Sequence, residues 1–304
     1  MKNSDNIKPV YFLYTFVGWF LFILVNLIQF IFFMPLALLV SIFDRDKKFF
    51  TYMTKFFSNV FHFLFIFQKI QLYKNGLKTP KKGERRIYVV NHASQYDVIL
   101  MYLLPGPIKF IFKEKWARLP LVGWMAALAG NVILKEDSKA ADSLAFFRKA
   151  IDMMEKGYPF VIYPEGTRSR DGKIGQFFHG TFKLALDGKA DIVPVVFDSW
   201  NNIRPGALWI RDTRPTIKFL EPIKYEDFQH LNYVKLSHIV RLKMIEGLIE
   251  LRNDRRQKEK NYYRKLEQFE NIDKDMEKDL IELKEYVDKK GIALKGVNDI
   301  SLKE

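Results

Sequence analysis

Thirty-five consecutive residues, Pro9 to Phe43, contain no Asp, Glu, Lys, Arg or His. As one straight helix they would span roughly 52 Å, against about 30 Å for the hydrocarbon core of a bilayer. The run is too long for one upright span, and Pro35 offers a break. It is also too long for the apolar core of a signal peptide, and no small-residue cleavage site follows. A second apolar segment, Phe49 to Ile70, has only Lys55, His62 and Lys69 as basic or titratable residues, and the polar turn Asp44 to Lys48 separates the two. Of 28 phenylalanines, 16 fall between Phe12 and Phe67. Soluble cores seldom use an uncharged run of this length. Residues 1–75 are therefore expected to form a membrane-embedded helical hairpin, either crossing the bilayer or lying in one leaflet. Lys2 and Lys8 precede it, and Lys74, Lys78, Lys81, Lys82, Arg85 and Arg86 follow. Basic flanks at both ends place both on the cytoplasmic face.

The 304-residue chain carries 49 basic and 35 acidic side chains, a net charge of +14. With 48% apolar residues it is not a disordered chain. The absence of cysteine excludes a disulfide framework, a thiolate metal site and a cysteine nucleophile. The basic excess points to an anionic partner. A nucleic-acid binder would interleave basic residues with exposed aromatics. Here the aromatics concentrate in the apolar segments and the basic run flanks them, which suits anionic lipid headgroups.

From about Arg86 to Pro222, short apolar runs alternate with helical patterns. Strands are expected at 87–90, 110–112, 132–134, 160–163, 192–197 and 217–219, with Pro194 moving the fifth toward an edge or bend. Helices are expected at 98–104, from a Ser138 cap to Gly157, and from Phe177 to Leu186 before Gly188. The fold class is α/β: a mainly parallel or mixed sheet flanked by helices over residues 76–225. Residues 226–304 read as a charged amphipathic helical extension. In it Tyr262, Leu266, Phe269, Met276, Leu280, Leu283 and Val287 recur at spacings near 3.5, as in a coiled-coil hairpin or dimer seam, or in a helix packed on its own domain.

Two polar clusters stand at expected strand ends, where sites in such sheets lie. In Asn91-His92-Ala93-Ser94-Gln95-Tyr96-Asp97, a carboxylate five residues after the histidine can fold back onto one ring nitrogen. The other nitrogen is then free to take a proton from a hydroxyl. In Tyr163-Pro164-Glu165-Gly166-Thr167-Arg168, a glycine turn exposes backbone N–H groups, and Arg168 offers a fork suited to phosphate oxygens.

Together, His92-x4-Asp97 and Glu165-Gly166-Thr167-Arg168 resemble the 1-acylglycerol-3-phosphate acyltransferase family of glycerolipid acyltransferases. Two further blocks match in order, Lys113 to Gly123 and Ile192 to Val196, so the resemblance covers about residues 75–225. It implies transfer of a fatty acyl group from a thioester, acyl-coenzyme A or an acyl carrier protein, to a lysophospholipid hydroxyl. His92 would be the general base and Asp97 its orienter. Glu165, Gly166, Thr167 and Arg168 would hold the acceptor phosphate, with Lys113 as a second cation. No metal or resident cofactor is implied. Where the family carries an arginine after the strand at 132–134, this chain has Lys135 and Glu136, which leaves a different headgroup open.

The rival readings are weaker. No Gly-x-Ser-x-Gly elbow supports a serine hydrolase, and no Gly-x4-Gly-Lys-Ser/Thr loop supports a nucleotide enzyme. His62, His92, His179, His230 and His238 are scattered. A membrane scaffold with an inactive core, recruiting partners or a second copy through residues 226–304, remains the non-enzyme alternative.

Overall fold

The computed structural model describes residues 9–40, 42–65, 68–73, 78–134, 140–211, 213–259 and 267–294, with side chains except those of 140–144 and 267–269. Lys135, Glu136, Ser138 and Lys139 lie outside the described residues, as do Tyr262 and Leu266.

Helix α1 (Pro9–Ile28) passes through a π turn at Gln29–Phe33 into α2 (Met34–Val40), giving 32 residues of unbroken helix. Pro35 does not break it. Proline lacks an N–H and crowds the carbonyl four residues back, and the wider π turn immediately upstream absorbs that misfit. The chain reverses at Asp44, whose carboxylate accepts the Phe49 N–H at 2.7 Å, and returns as α3 (Lys48–Leu64). Phe22 meets Phe61, and Phe33 meets Phe57, edge to face. One side of this hairpin packs on the rest of the protein. The other is uncovered, with Phe16, Phe32 and Leu39 about two-thirds exposed. The second apolar segment stops being helical at Leu64, short of Ile70, and leads into a strand.

Seven strands form one sheet: β1 (Gln71–Tyr73), β2 (Arg86–Val90), β3 (Lys109–Lys113), β4 (Val132–Leu134), β5 (Phe160–Ile162), β6 (Asp191–Asp198) and β7 (Thr216–Phe219). Their spatial order is β1-β7-β6-β2-β5-β3-β4. Among the described residues only the β6–β7 strand pair is antiparallel, so β1 and β7 oppose the other five and the sheet is mixed. Strand β6 is central, so of the edge or bend expected from Pro194 the strand shows the bend. Val195 lies opposite Phe219, but Ile192 pairs with Ile223, so three steps on β6 face four on the other side. That extra residue is a bulge. Pro194 sits at it, where its missing N–H breaks no regular ladder.

Alternate residues of the central strands feed two cores. Val89, Ile192 and Phe160 face a layer containing α7 (Ala140–Glu155), α8 (Gly180–Asp187), α10 (Tyr233–Lys258) and α11 (Glu267–Lys289). Tyr88, Val90 and Val161 face the hairpin, which contributes Phe50, Phe57, Phe61 and Phe65, together with the short helix α4 (Asp97–Leu100). The apolar hairpin thus forms one layer of the core. Helix α8 begins three residues later than expected, because Phe178 first donates its N–H to Pro164 O.

The boundary expected at 225/226 does not separate two bodies. After the short helix α9 (Tyr225–Phe228), α10 lays Leu236, Ile239 and Val240 on the sheet. Met276, Leu283 and Val287 of α11 are buried in the same cluster. The described part of the stripe, Met276 to Val287, thus packs on the chain's own domain, the second of the two expected arrangements.

Candidate active site

Strands β2 and β5 are parallel neighbours, so the turns that follow them open on one rim. After β2, the Asn91 side-chain amide extends the ladder. It donates to Phe197 O at 3.0 Å and accepts the Phe197 N–H at 2.7 Å. The chain then turns sharply and enters α4 at Asp97, which is fully buried. Asp97 Oδ2 accepts the backbone N–H groups of Ala93 and Ser94 at 2.7 and 2.8 Å, and lies 2.9 Å from His92 Nδ1. These three contacts on one oxygen fix the carboxylate and hold the ring by Nδ1, leaving Nε2 with no hydrogen-bond partner among the described residues. The His92 ring stacks on Tyr163, centroids 4.3 Å apart, and its side chain is 14% exposed. Such an arrangement can act chemically as a base and its orienter, with no protein nucleophile between them.

The Glu165 carboxylate, expected at the acceptor phosphate, is buried and turned inward. It accepts the His92 N–H at 2.9 Å on one oxygen and the Gly175 N–H at 2.9 Å on the other. Through these contacts it joins the two clusters. Ser169 N–H donates to His92 O at 2.7 Å as a second tie. Burial pushes the Glu165 carboxyl up to about 7, against the pull of those two N–H donors. Gly166 adopts φ +63°, and a Cβ there would meet the Phe178 ring at 2.8 Å, so only glycine fits the turn. Thr167 is exposed beside it, and Arg168 is half-buried with its guanidinium 5.8 Å from the Trp116 ring. Among the described residues Arg168 has no acidic partner within 4 Å. Lys113 ends β3, the strand beside β5, and is exposed on the same rim.

Three features of the site carry no motif. Ser199 Oγ donates to Asp97 Oδ1 at 2.5 Å from the end of β6. The segment 199–211 closes over the histidine turn, with Ser94 Oγ donating to Ile203 O at 3.0 Å and Gln95 Nε2 to Ala207 O at 2.9 Å. That segment is held from outside by α1: Trp19 Nε1 donates to Leu208 O, and Thr15 Oγ1 accepts the Ile210 N–H. Finally, Arg241 of α10 donates to Gly175 O and Ile174 O at 2.8 and 3.1 Å, bracing the loop that holds Glu165. Among the described residues no three His, Asp or Glu side chains gather as a metal site.

The acyltransferase family pattern matches residues 71–198. The 1-acyl-sn-glycerol-3-phosphate acyltransferase of Limnanthes douglasii is 33% identical over 174 residues, covering 54% of this chain and 60% of that protein. The enzyme of the same name from Cocos nucifera is 31% identical over 163 residues, covering 52% and 51%. This chain therefore spans about half to three-fifths of these relatives. The crystal structure of the 1-acyl-sn-glycerophosphate (LPA) acyltransferase PlsC from Thermotoga maritima shares the fold. Its TM-score is 0.63 at 23% identity, over 79% of this chain and 95% of that one. Histidine turn and glycine-arginine turn both fall inside the stretch, residues 71–198, that matches the acyltransferase family pattern.

Proposed function

We propose that the protein transfers a fatty acyl group from a thioester to the free hydroxyl of lysophosphatidic acid, giving phosphatidic acid for phospholipid synthesis. The observation that carries this reading is His92 Nε2, without a hydrogen-bond partner among the described residues, on a ring fixed by a buried carboxylate and on the rim that also bears Arg168. Nε2 takes the acceptor hydroxyl proton as that oxygen bonds to the thioester carbonyl carbon. The carbon–sulfur bond then breaks, and the imidazolium returns the proton to the leaving thiolate. No acyl-enzyme is needed. Positioned base catalysis of this type contributes about 10²–10⁴-fold. Arg168 and Lys113 receive the acceptor phosphate, and Arg168 is set for it by the glycine turn and the Trp116 face. The uncovered side of the hairpin seats in lipid, so the acceptor reaches the rim from the membrane.

Product analysis tests this with the purified full chain, pairing acyl-coenzyme A and acyl carrier protein donors with lysolipids of several headgroups. Phosphatidic acid should form fastest from lysophosphatidic acid. Preference for an uncharged or choline headgroup would refute the phosphate assignment. Arg168→Ala should raise the acceptor KM about 10–100-fold, the equivalent of one charge-assisted bond, with the donor KM unchanged.

A further inference from the structure

After β3 the chain makes an elbow: α5 (Glu114–Ala117), a tight turn, and α6 (Val122–Leu128). Its shape is fixed. Leu121 is held at φ +63°, and a Cβ on Gly123 would lie 2.1 Å from Trp116 O, so the turn closes only with glycine there. The elbow leaves Trp116, Leu119 and Trp124 uncovered, at 43, 44 and 44% exposure. Isolated apolar side chains on a surface are ordinary. These three are not isolated, because the Trp124 ring meets Phe30 of the long apolar helix at a tilt, centroids 5.8 Å apart. The elbow therefore continues the uncovered apolar face of the hairpin onto the catalytic rim. Cations edge it: Lys113, Lys115 with its Nζ 5.7 Å from the Trp116 ring, and Arg118, paired with Glu114. Tryptophan among basic residues at the border of an apolar face is the composition that sits at the headgroup level of a bilayer.

We propose that the elbow Glu114–Leu128 is a second lipid-contacting surface, seated in the headgroup region of an anionic bilayer beside the hairpin. The proposal does not depend on which reaction the site performs. It makes the membrane contact two-sided, with the elbow setting the height of Arg168 above the bilayer through Trp116.

The cysteine-free chain allows a direct test. Full-length Leu119→Cys is labelled with an environment-sensitive fluorophore and bound to vesicles of phosphatidylcholine and phosphatidylglycerol, with and without bromine on the acyl chains. Phe16→Cys on α1 and Ile281→Cys on α11 serve as lipid and water references, both positions being exposed. Bromination should quench the label at Leu119 and at Phe16 by about twofold or more, and leave Ile281 unchanged. Lys115→Cys gives a second position should Leu119→Cys not fold. A label at 115 or 119 that behaves like the one at Ile281 overturns the proposal. So does a label that is shielded from water yet untouched by brominated lipid, which would mark a protein partner instead.

Discussion

Asp198 and Ser199 are neighbours at the end of β6, and they enter two different polar clusters. Asp198 accepts from Arg252 Nε at 3.2 Å and Arg255 Nη1 at 2.7 Å. Arg252 also reaches Asp273 at 2.7 Å, so α10 and α11 are locked to the sheet by buried charge. Ser199 instead joins Asp97, where one carboxylate gathers small donors around a histidine. Every element of the first cluster turns toward another part of the chain. The second leaves His92 Nε2 with no hydrogen-bond partner among the described residues. The first has the form of a lock for the fold, the second of a base held ready for an outside hydroxyl.

Mutation should separate them. The largest expected effect is at the open nitrogen: His92→Ala should lower kcat about 10²–10⁴-fold while leaving the thermal midpoint near that of the native protein. Near-native turnover would remove the base assignment. Asp198→Ala should do the reverse. Stripping the shared carboxylate from two buried guanidinium groups costs about 3–5 kcal/mol, read as a lower denaturant midpoint. An unchanged midpoint would mean that water or neighbouring carbonyls already carry those charges.

Glu165 lies between the two behaviours. Its carboxyl titrates at about 7 when folded, against an ordinary 4.5, so between those values the folded chain holds a proton that the unfolded chain has released. Its contribution to stability is complete below pH 4.5 and is lost as the pH rises through about 7. Glu165→Gln has no such titration. The stability of native protein relative to the variant should therefore shrink from pH 5 to pH 8 by an amount of the order of 2 kcal/mol. A gap that stays constant across thermal melts would show that the carboxyl does not change its charge. The smallest effect is expected at Ser199→Ala: kcat about 3–10-fold lower, with both KM values unchanged. A carboxylate relieved of one donor is held less firmly behind the imidazole. Ser199→Thr should restore native kcat, and equal loss in both variants would point to packing rather than to the hydroxyl.

The parts of this molecule that can be read from its sequence are those whose partners are near in sequence. His92 and Asp97 are five residues apart, a spacing at which the carboxylate can fold back onto the ring, as it does. The strands from β2 onward announce themselves as apolar runs. Strand β1 does not, because Gln71-Leu72-Tyr73 is short and half polar and becomes a strand only by pairing with β7. Ser199 reaches Asp97 across 102 residues, and nothing around it marks it. Glu165 looked like part of a ligand turn because its motif faces outward, yet its carboxylate folds under. Arg252 and Arg255 read as solvated charge in a polar helix, since sequence does not reveal that Asp198 waits beneath them. Helix α10 shows no clean stripe because it is buried on several sides, against the sheet, α8 and α11.

The hydrogen bond from Trp19 to Leu208 joins residues 189 positions apart, and it fastens the segment that closes over the histidine turn. At ribosomal speeds of about 5–20 residues per second, the first helix waits roughly 10–40 s after its synthesis before that segment exists. An uncharged helix cannot spend such an interval in water without finding a wrong companion. On the membrane seating proposed above, the helix rests in the bilayer during that interval, and the late segment arrives to a fixed landing place over the histidine turn.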